Sequence, residues 1–347
     1  MVKSLKIRHT VATMNNNSSG VTYCVNSLAL TQLTLSHESE IWTTGTIAEA
    51  KVDFKDIRIF PHDISKLPVF KRLYKSAAMK SLIQTANFDI LHTHGLWTLP
   101  NTYFKPANPF VLSPHGMLSE VALGYSRLKK RAFQKLFQEY ALQNVGMLHA
   151  TAESEYEDIR KFGLRQPVAI IPNGIEVPSL NKISRDKANK TLLYLGRIHQ
   201  QKGIDILLRA WNPVEKKFPN WNLKIAGPDE NSYLDKCKKL ATDQNLKRVA
   251  FLPPTYGDAK NKLMENADLF ILPSRSENFG ITVAESLARQ VPVITTHGTP
   301  WSGVVEHECG WYVPVSYTAI SKALNEAFEL EDSRLQDMGR NGREWVQ

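Results

Sequence analysis

An α/β chain of two doubly wound domains is what this sequence predicts, on three observations. Short apolar runs rich in β-branched residues recur along the 347 residues and alternate with helical patterns. One of those helical patterns is explicit: Ile204, Leu207, Leu208 and Trp211 stand at i, i+3, i+4 and i+7, a single apolar face. The alternation breaks once, in the polar stretch "SLNKISRDKANK" at 179–190, before Thr191 restarts a strand. Strand, helix and strand repeated on both sides of that break predict two Rossmann-like domains with largely parallel sheets, residues 1–178 and 179–347, facing each other across a cleft.

The elements follow in order. In the first half "LKIRHTVA", "SEIWTT", "FDILHTH", "PFVLSPH", "GMLHATA" and "PVAIIPNG" read as strands. In the second half "TLLYLGR", "WNLKIAG", "RVAFLPP", "ADLFILPS" and "VPVITT" do so. "ADLFILPS" ends near Pro273, and "ITVAESLARQ" reads as the helix after it. In open α/β sheets ligands lie beyond the carboxyl ends of the strands, so the loops there are where chemistry is expected. Glu277 falls on such a loop, and Gly280 at the helix start lets backbone approach a ligand and leaves first-turn N–H groups for a phosphate. Glu285, eight positions after Glu277, lies further into the helix, where a lone glutamate more often faces solvent. Its neighbours argue otherwise. In "YLGRIHQQKGIDILLRAW" a strand ends at Gly196, Arg197 opens the loop, and Lys202 leads into a helix, a cation pair suited to a diphosphate.

Composition narrows the class. At 42% hydrophobic and 22% charged, with no run of about 18 apolar residues, the chain reads as soluble, cytoplasmic and without a membrane span. Its opening "VKSLKIRHTVA" lacks the continuous apolar stretch of a secretory signal. Cys24, Cys237 and Cys309 are far apart, which predicts buried thiols rather than a disulfide framework, and no His/Cys cluster has zinc spacing. The net charge of +9 favours anionic partners. Nucleic acid is disfavoured because the cations are dispersed and no recognition motif is present. A nicotinamide-dependent dehydrogenase is disfavoured because "TVATMNNNSSG" lacks G-x-G-x-x-G.

Taken together, "MNNNSSG", "DILHTHGLW", "SPHGML", "ATAESE", "IPNGIE", "GRIHQQKG" and the E-x7-E stretch beginning "ENFG" resemble the retaining, nucleotide-sugar-dependent glycosyltransferases of the GT-B fold, family 4. The resemblance spans nearly the whole chain. It implies a metal-independent, hexosyltransferase-type enzyme that moves a sugar from a UDP- or GDP-linked donor to a hydroxyl of a glycan or lipid-linked acceptor, without a cofactor, in cell-surface polysaccharide or lipopolysaccharide synthesis. A nucleotide-sugar epimerase of the same fold and a non-catalytic nucleotide-binding protein are the alternatives.

The resemblance also implies roles. Glu277 matches the glutamate that meets hydroxyls of the donor sugar, with Asn278, Phe279 and Gly280, and then Ile281 and Thr282, near sugar and diphosphate. Glu285 matches the acceptor for the ribose hydroxyls. Arg197 and Lys202, beside Gly196, match the pair that neutralises the departing diphosphate, in place of a metal ion; no D-x-D triplet occurs in the chain. His115 matches the histidine beside the donor sugar. Ser19 and Gly20 match the small-residue loop facing the diphosphate, where many members have two glycines. Asn173 joins the nucleotide-sugar residues, and His94 is a candidate for the acceptor side. Similar proteins continue beyond an end such as "GREWVQ" with a helix that returns to the first domain.

Residues 125–142, "YSRLKKRAFQKLFQEYAL", read as a basic helix with Leu128, Ala132, Leu136 and Tyr140 on one face. Such a helix suits either solvent or peripheral contact with an anionic membrane.

Overall fold

A computed structural model describes residues 3–14, 20–45, 56–64, 66, 70–179 and 188–347. It divides into two compact units, Met1–Gly174 and Ile175–Gln347, so the division falls a few residues before the expected one.

In the first unit β1 (Lys6–Val11), β2 (Glu38–Thr44), β3 (Ile57–Phe60), β4 (Ile90–His94), β5 (Phe110–Ser113), β6 (Met147–Ala150) and β7 (Val168–Ile170) form one parallel sheet in the order β3-β2-β1-β4-β5-β6-β7. Its helices are α1 (Gly20–Thr34), α2 (Ala77–Thr85), α3 (Glu120–Gly124), α4 (Arg127–Phe133), α5 (Glu139–Gln143) and α6 (Glu153–Phe162). The chain reverses its direction of build-up between β1 and β4, the switch point beyond which a doubly wound sheet opens a crevice.

The second unit repeats the plan. Its parallel sheet runs β10-β9-β8-β11-β12-β13, from β8 (Lys190–Leu195), β9 (Trp221–Ala226), β10 (Val249–Leu252), β11 (Leu269–Leu272), β12 (Val293–Thr296) and β13 (Gly310–Val313). The helices are α7 (Ile204–Lys217), α8 (Tyr233–Asp243), α9 (Gly257–Glu265), α10 (Ile281–Ala288), α11 (Gly303–Glu306), α12 (Tyr317–Glu329) and α13 (Asp332–Val346). Here the switch point lies between β8 and β11.

The apolar face expected on α7 is buried: Ile204, Leu207, Leu208 and Trp211 are all shielded from solvent. Each such burial stabilises by about 1.5–3 kcal/mol, which is what holds the helix to the sheet. Trp211 also donates to Glu215 at 2.8 Å, and Glu215 accepts from the backbone of Lys247 and Arg248. At the far side of that core Trp221 stacks on Phe328 with centroids 3.8 Å apart.

Two strands escaped the sequence reading. β3 is an edge strand whose Arg58 and Ile59 are exposed, so it lacks a continuous apolar run. β13 is the opposite edge of the second sheet and is half-buried throughout. The basic helix of 125–142 is not one α-helix: α4 passes through a π-helical turn, Gln134–Gln138, into α5. Cys237 and Cys309 are buried, Cys24 is half-buried, and none forms a disulfide. Burial pushes the Cys237 and Cys309 thiols up to about 12, which makes them inert packing groups.

Candidate functional site

The second unit gathers charge at the carboxyl ends of β8 and β11. After β8 the backbone of Gly196 donates to Ala226 at 3.1 Å, and that of Ile198 donates to Pro228 at 2.8 Å. Tyr194 donates its hydroxyl to the Arg197 carbonyl at 2.8 Å. The loop carrying Arg197 is therefore fixed, and the guanidinium pairs with Glu230. A single 3₁₀ turn, Gln200–Lys202, then brings Lys202 to the start of α7. Gly203 closes that turn at φ +69°, and a Cβ there would lie 2.1 Å from the Pro273 carbonyl oxygen. Only glycine permits this approach, which sets Lys202 against the loop after β11.

Glu277 occupies that loop. Its N–H donates to the Gly298 carbonyl at 2.7 Å, Ser274 Oγ donates to Oε2 at 3.3 Å, and Lys202 Nζ pairs with the same oxygen. Both side chains of the pair are mostly buried, at 12% and 14% exposure, so the attraction is less screened than at a surface. Arg275 braces the loop with a two-pronged bond to Asp205 at 2.8 and 2.7 Å. Burial opposes ionisation of Asp205, but bonds from Arg275 and Tyr233 outweigh it and hold the carboxyl below its usual range.

Gly280 stands at φ +78° before α10, where a Cβ would meet Leu272 and Glu277 at 3.0 and 3.2 Å. No side chain caps α10, so its first-turn N–H groups, at Ile281 and Thr282, remain available to an anion. Phe279 packs edge-on against Trp301, which donates its indole N–H to the Phe279 carbonyl.

Glu285 is 6% exposed, which rules out the solvated helix face. Its Oε1 accepts from Lys260 Nζ at 2.6 Å. Its Oε2 is buried and, among the described residues, has no hydrogen-bond partner.

The first unit gathers imidazoles instead. His9 on β1 and His92 on β4 are register partners, and His94 ends β4. His94 Nδ1 lies 3.0 Å from Nε2 of His115, which follows β5, and the two rings stack at 5.3 Å. His115 sits at φ +53° and Gly116 at φ +73°. That turn is held by Glu155, whose Oε1 accepts from the Gly116 N–H at 2.6 Å while Oε2 accepts from Thr151. The rings are kept neutral: burial pushes His9 down to about 4 and His115 down to about 3, and holds His92 and His94 well below the usual range. His9, His92 and His94 offer ligand nitrogens within 4.8 Å of one another, the one group among the described residues that could hold a metal ion. His92 and His94 share β4 but His9 comes from β1, so chain spacing did not reveal the group.

Of the expected site residues, Gly196, Arg197, Lys202, Asn278, Phe279, Gly280, Ile281, Thr282, Glu277 and Glu285 fall in the second unit, and Lys202 and Glu277 are in contact. Gly20, His94, His115 and Asn173 fall in the first; His94 and His115 are in contact, Gly20 opens α1, and Asn173 is half-buried after β7. Ser19 lies outside the described residues. Glu230, Lys260 and His9 carry no chain signal of their own and are found only through the partners they meet; Glu155 lies in the quoted "ATAESE" stretch, but its bond to Gly116 is not legible there.

Two doubly wound units with polar clusters at their switch points define the GT-B class of protein. The family model described as Glycosyltransferase Family 4 matches residues 18–177, and that described as Glycosyl transferases group 1 matches residues 179–345. The chain belongs to the family 4, group 1 glycosyltransferases. Among similar sequences is the GDP-mannose:cellobiosyl-diphosphopolyprenol alpha-mannosyltransferase of Xanthomonas oryzae pv. oryzae, 26% identical over 69% of this chain and 65% of its own length. The chain spans 41% to 65% of the length of the first curated relatives it matches. In fold it matches sucrose-phosphate synthase from Thermosynechococcus elongatus, with TM-score 0.81 and 18% identity over 99% of this chain and 94% of that one. It also matches Anabaena HepE in complex with UDP and glucose, with TM-score 0.74 and 16% identity over 99% and 94%.

Proposed function

We propose that the protein is a retaining, metal-independent glycosyltransferase that moves a hexose from a UDP- or GDP-linked donor to a hydroxyl of a glycan or lipid-linked saccharide, in cell-surface polysaccharide synthesis. The observation that carries this is the half-satisfied Glu285 on α10, together with the Lys202–Glu277 pair on the preceding loop and the uncapped start of α10. A buried carboxylate oxygen without a donor is costly, and a ribose hydroxyl supplies one. The α10 N–H groups and Lys202 suit a diphosphate, with Arg197 as second cation. Glu277, whose Oε2 already accepts from two donors, has remaining lone pairs for sugar hydroxyls.

In the reaction the bond from the anomeric carbon to the diphosphate oxygen breaks and a bond to the acceptor oxygen forms on the same face. The acceptor proton passes to the departing phosphate oxygen. Negative charge builds on the diphosphate, so fixed cations and N–H dipoles stabilise the transition state more than the ground state. His115 accepts from a hydroxyl of the donor sugar, and Gly20 and Asn173 contact the donor; His94, expected on the acceptor side, has both ring nitrogens engaged by His9 and His115 and so acts through His115. The base follows either known precedent, guanine as in the Xanthomonas relative's name or uracil as in HepE's complex.

Peripheral contact with an anionic membrane fits the same reading. Leu128, Leu136 and Tyr140 are 79%, 72% and 64% exposed, and Arg127, Lys129, Lys130, Arg131 and Lys135 surround them. An apolar stripe set among cations is what an anionic headgroup layer binds. No helix among the described residues is long and apolar enough to cross a membrane.

The test is a panel of UDP- and GDP-sugars with polyprenyl-diphosphate-linked saccharides, in chelator, with the product anomer read by NMR. Transfer with the donor's configuration kept is expected. An inverted product, or loss of transfer with chelator, overturns the corresponding part. Co-sedimentation with phosphatidylglycerol vesicles but not phosphatidylcholine vesicles is expected; no binding to either refutes the membrane contact.

A further inference from the structure

The buried histidines of the first sheet form two hydrogen-bond chains whose ends fix their direction. His9 Nε2 lies 2.7 Å from Oε1 of Gln32, which also accepts from Ser39 at 3.0 Å. A carboxamide oxygen accepts only, so His9 carries its proton on Nε2 and presents Nδ1 as an acceptor. His94 Nε2, 2.9 Å from that Nδ1, therefore donates to it. His94 Nδ1 is then an acceptor, and His115 Nε2 donates to it at 3.0 Å. One proton per neutral ring is spent at each step, and His115 is left with Nδ1 bare; that atom has no hydrogen-bond partner among the described residues.

The second chain runs alongside and ends on backbone. His149 Nε2 donates to the Ile171 carbonyl at 2.9 Å, so its Nδ1 accepts from the Ser113 hydroxyl at 2.8 Å. Ser113 Oγ in turn accepts from His92 Nε2 at 2.7 Å. Each ring is thus a single tautomer, and burial keeps His9, His92, His94 and His115 neutral. In a low-dielectric interior such chains polarise each successive bond in one direction.

We infer that Gln32 and His9 are positioning residues that act through His94 to hold His115 as the Nε2–H tautomer, with Nδ1 as the acceptor for a substrate hydroxyl. The inference rests on the reading of the chain as a glycosyltransferase in which His115 meets the donor sugar. If the opposite tautomer prevailed, His115 would offer a donor where a hydroxyl donor must be met. A divalent metal held by His9 Nδ1 and His94 Nε2 is the competing arrangement. It would break the bond between those atoms, and would require His94 to donate from Nδ1 to His115, reversing the chain.

The experiment is ¹⁵N-histidine labelling of the full chain, with tautomers read from two-bond proton–nitrogen correlations. In the wild type His9, His94 and His115 are expected as Nε2–H. Gln32→Leu removes the terminal acceptor and is expected to give His115 as mixed tautomers, with kcat lowered about tenfold and the donor KM little changed. His115 found as Nδ1–H, a tautomer untouched by Gln32→Leu, or stoichiometric Zn²⁺ binding that displaces the His9 and His94 signals each overturns the inference. Absence of transfer from every nucleotide sugar defeats the functional reading instead, and the tautomer signals still decide whether the chain runs from His115 to Gln32.

Discussion

The two units share one topology and fill their switch points with opposite chemistry. At β1, β4 and β5 the first sheet ends in neutral imidazoles that pass hydrogen bonds to one another. At β8 and β11 the second ends in charged pairs, Lys202 with Glu277 and Arg197 with Glu230, and Lys260 meets Glu285 on the following helix. Neutral groups with fixed tautomers are suited to sorting hydroxyl donors from acceptors, whereas fixed cations are suited to an anionic leaving group. Under the proposed function the first half meets hydroxyls alone, while the second meets hydroxyls through Glu277 and Glu285 and also stabilises charge, so each half is expected to fail in its own way.

The largest effect is expected in the charged half. Lys202→Ala removes the cation nearest Glu277, and transfer, measured as kcat/KM, should fall by about 10²–10³, or about 3–4 kcal/mol. Affinity for the bare nucleoside diphosphate should fall less. Equal losses in both would make Lys202 a plain binding residue. Next comes Glu285→Ala, expected to weaken nucleotide binding by about 10- to 100-fold through loss of a charged hydrogen-bonding group. Glu277→Ala should instead reduce transfer more than binding, and calorimetry set beside initial rates separates the two.

Acid should single out the neutral half. The folded pKa values of His9 and His115, about 4 and about 3, lie below the ordinary 6.5. The unfolded chain therefore takes up protons first as pH falls. Stability is intact above about pH 6.5 and declines from there to about pH 4 for His9 and about pH 3 for His115, by up to about 1.4 kcal/mol per pH unit for each ring that stays neutral. Hydrogen exchange of the β1 and β4 amides at pH 7 and pH 5 measures this; unchanged protection would mean the rings are protonated in the fold. The smallest effect is expected for Glu230→Gln. Its pair with Arg197 is open to solvent, with side chains 35% and 40% exposed, so thermal unfolding should shift by less than about 1 kcal/mol.

What the sequence disclosed divides along the same line. Glu277, Glu285, Lys202 and Gly280 sit in short contiguous stretches at strand ends, where local pattern and loop position coincide, and they were legible. Their partners were not. Lys260 reaches Glu285 from α9 and Glu230 reaches Arg197 from the loop after β9, contacts created by parallel strand order rather than by spacing. The histidine chain was hidden for the same reason: His9 and His94 are 85 residues apart and meet only because β1 pairs with β4. The edge strands β3 and β13 were missed because an edge needs only part of the apolar burial that marks a central strand. The basic helix was found but not its π-helical turn, since hydrophobic periodicity does not encode where a backbone bond skips a residue.

The central claim is that Glu285 and the charges beside it form a nucleoside diphosphate site. Calorimetric titration of the full chain and of Glu285→Ala with UDP, GDP and NAD tests it most directly. Micromolar binding of UDP or GDP to the wild type, lost in the variant, is the predicted result. Binding of neither diphosphate, binding of NAD alone, or equal binding by the variant would contradict it.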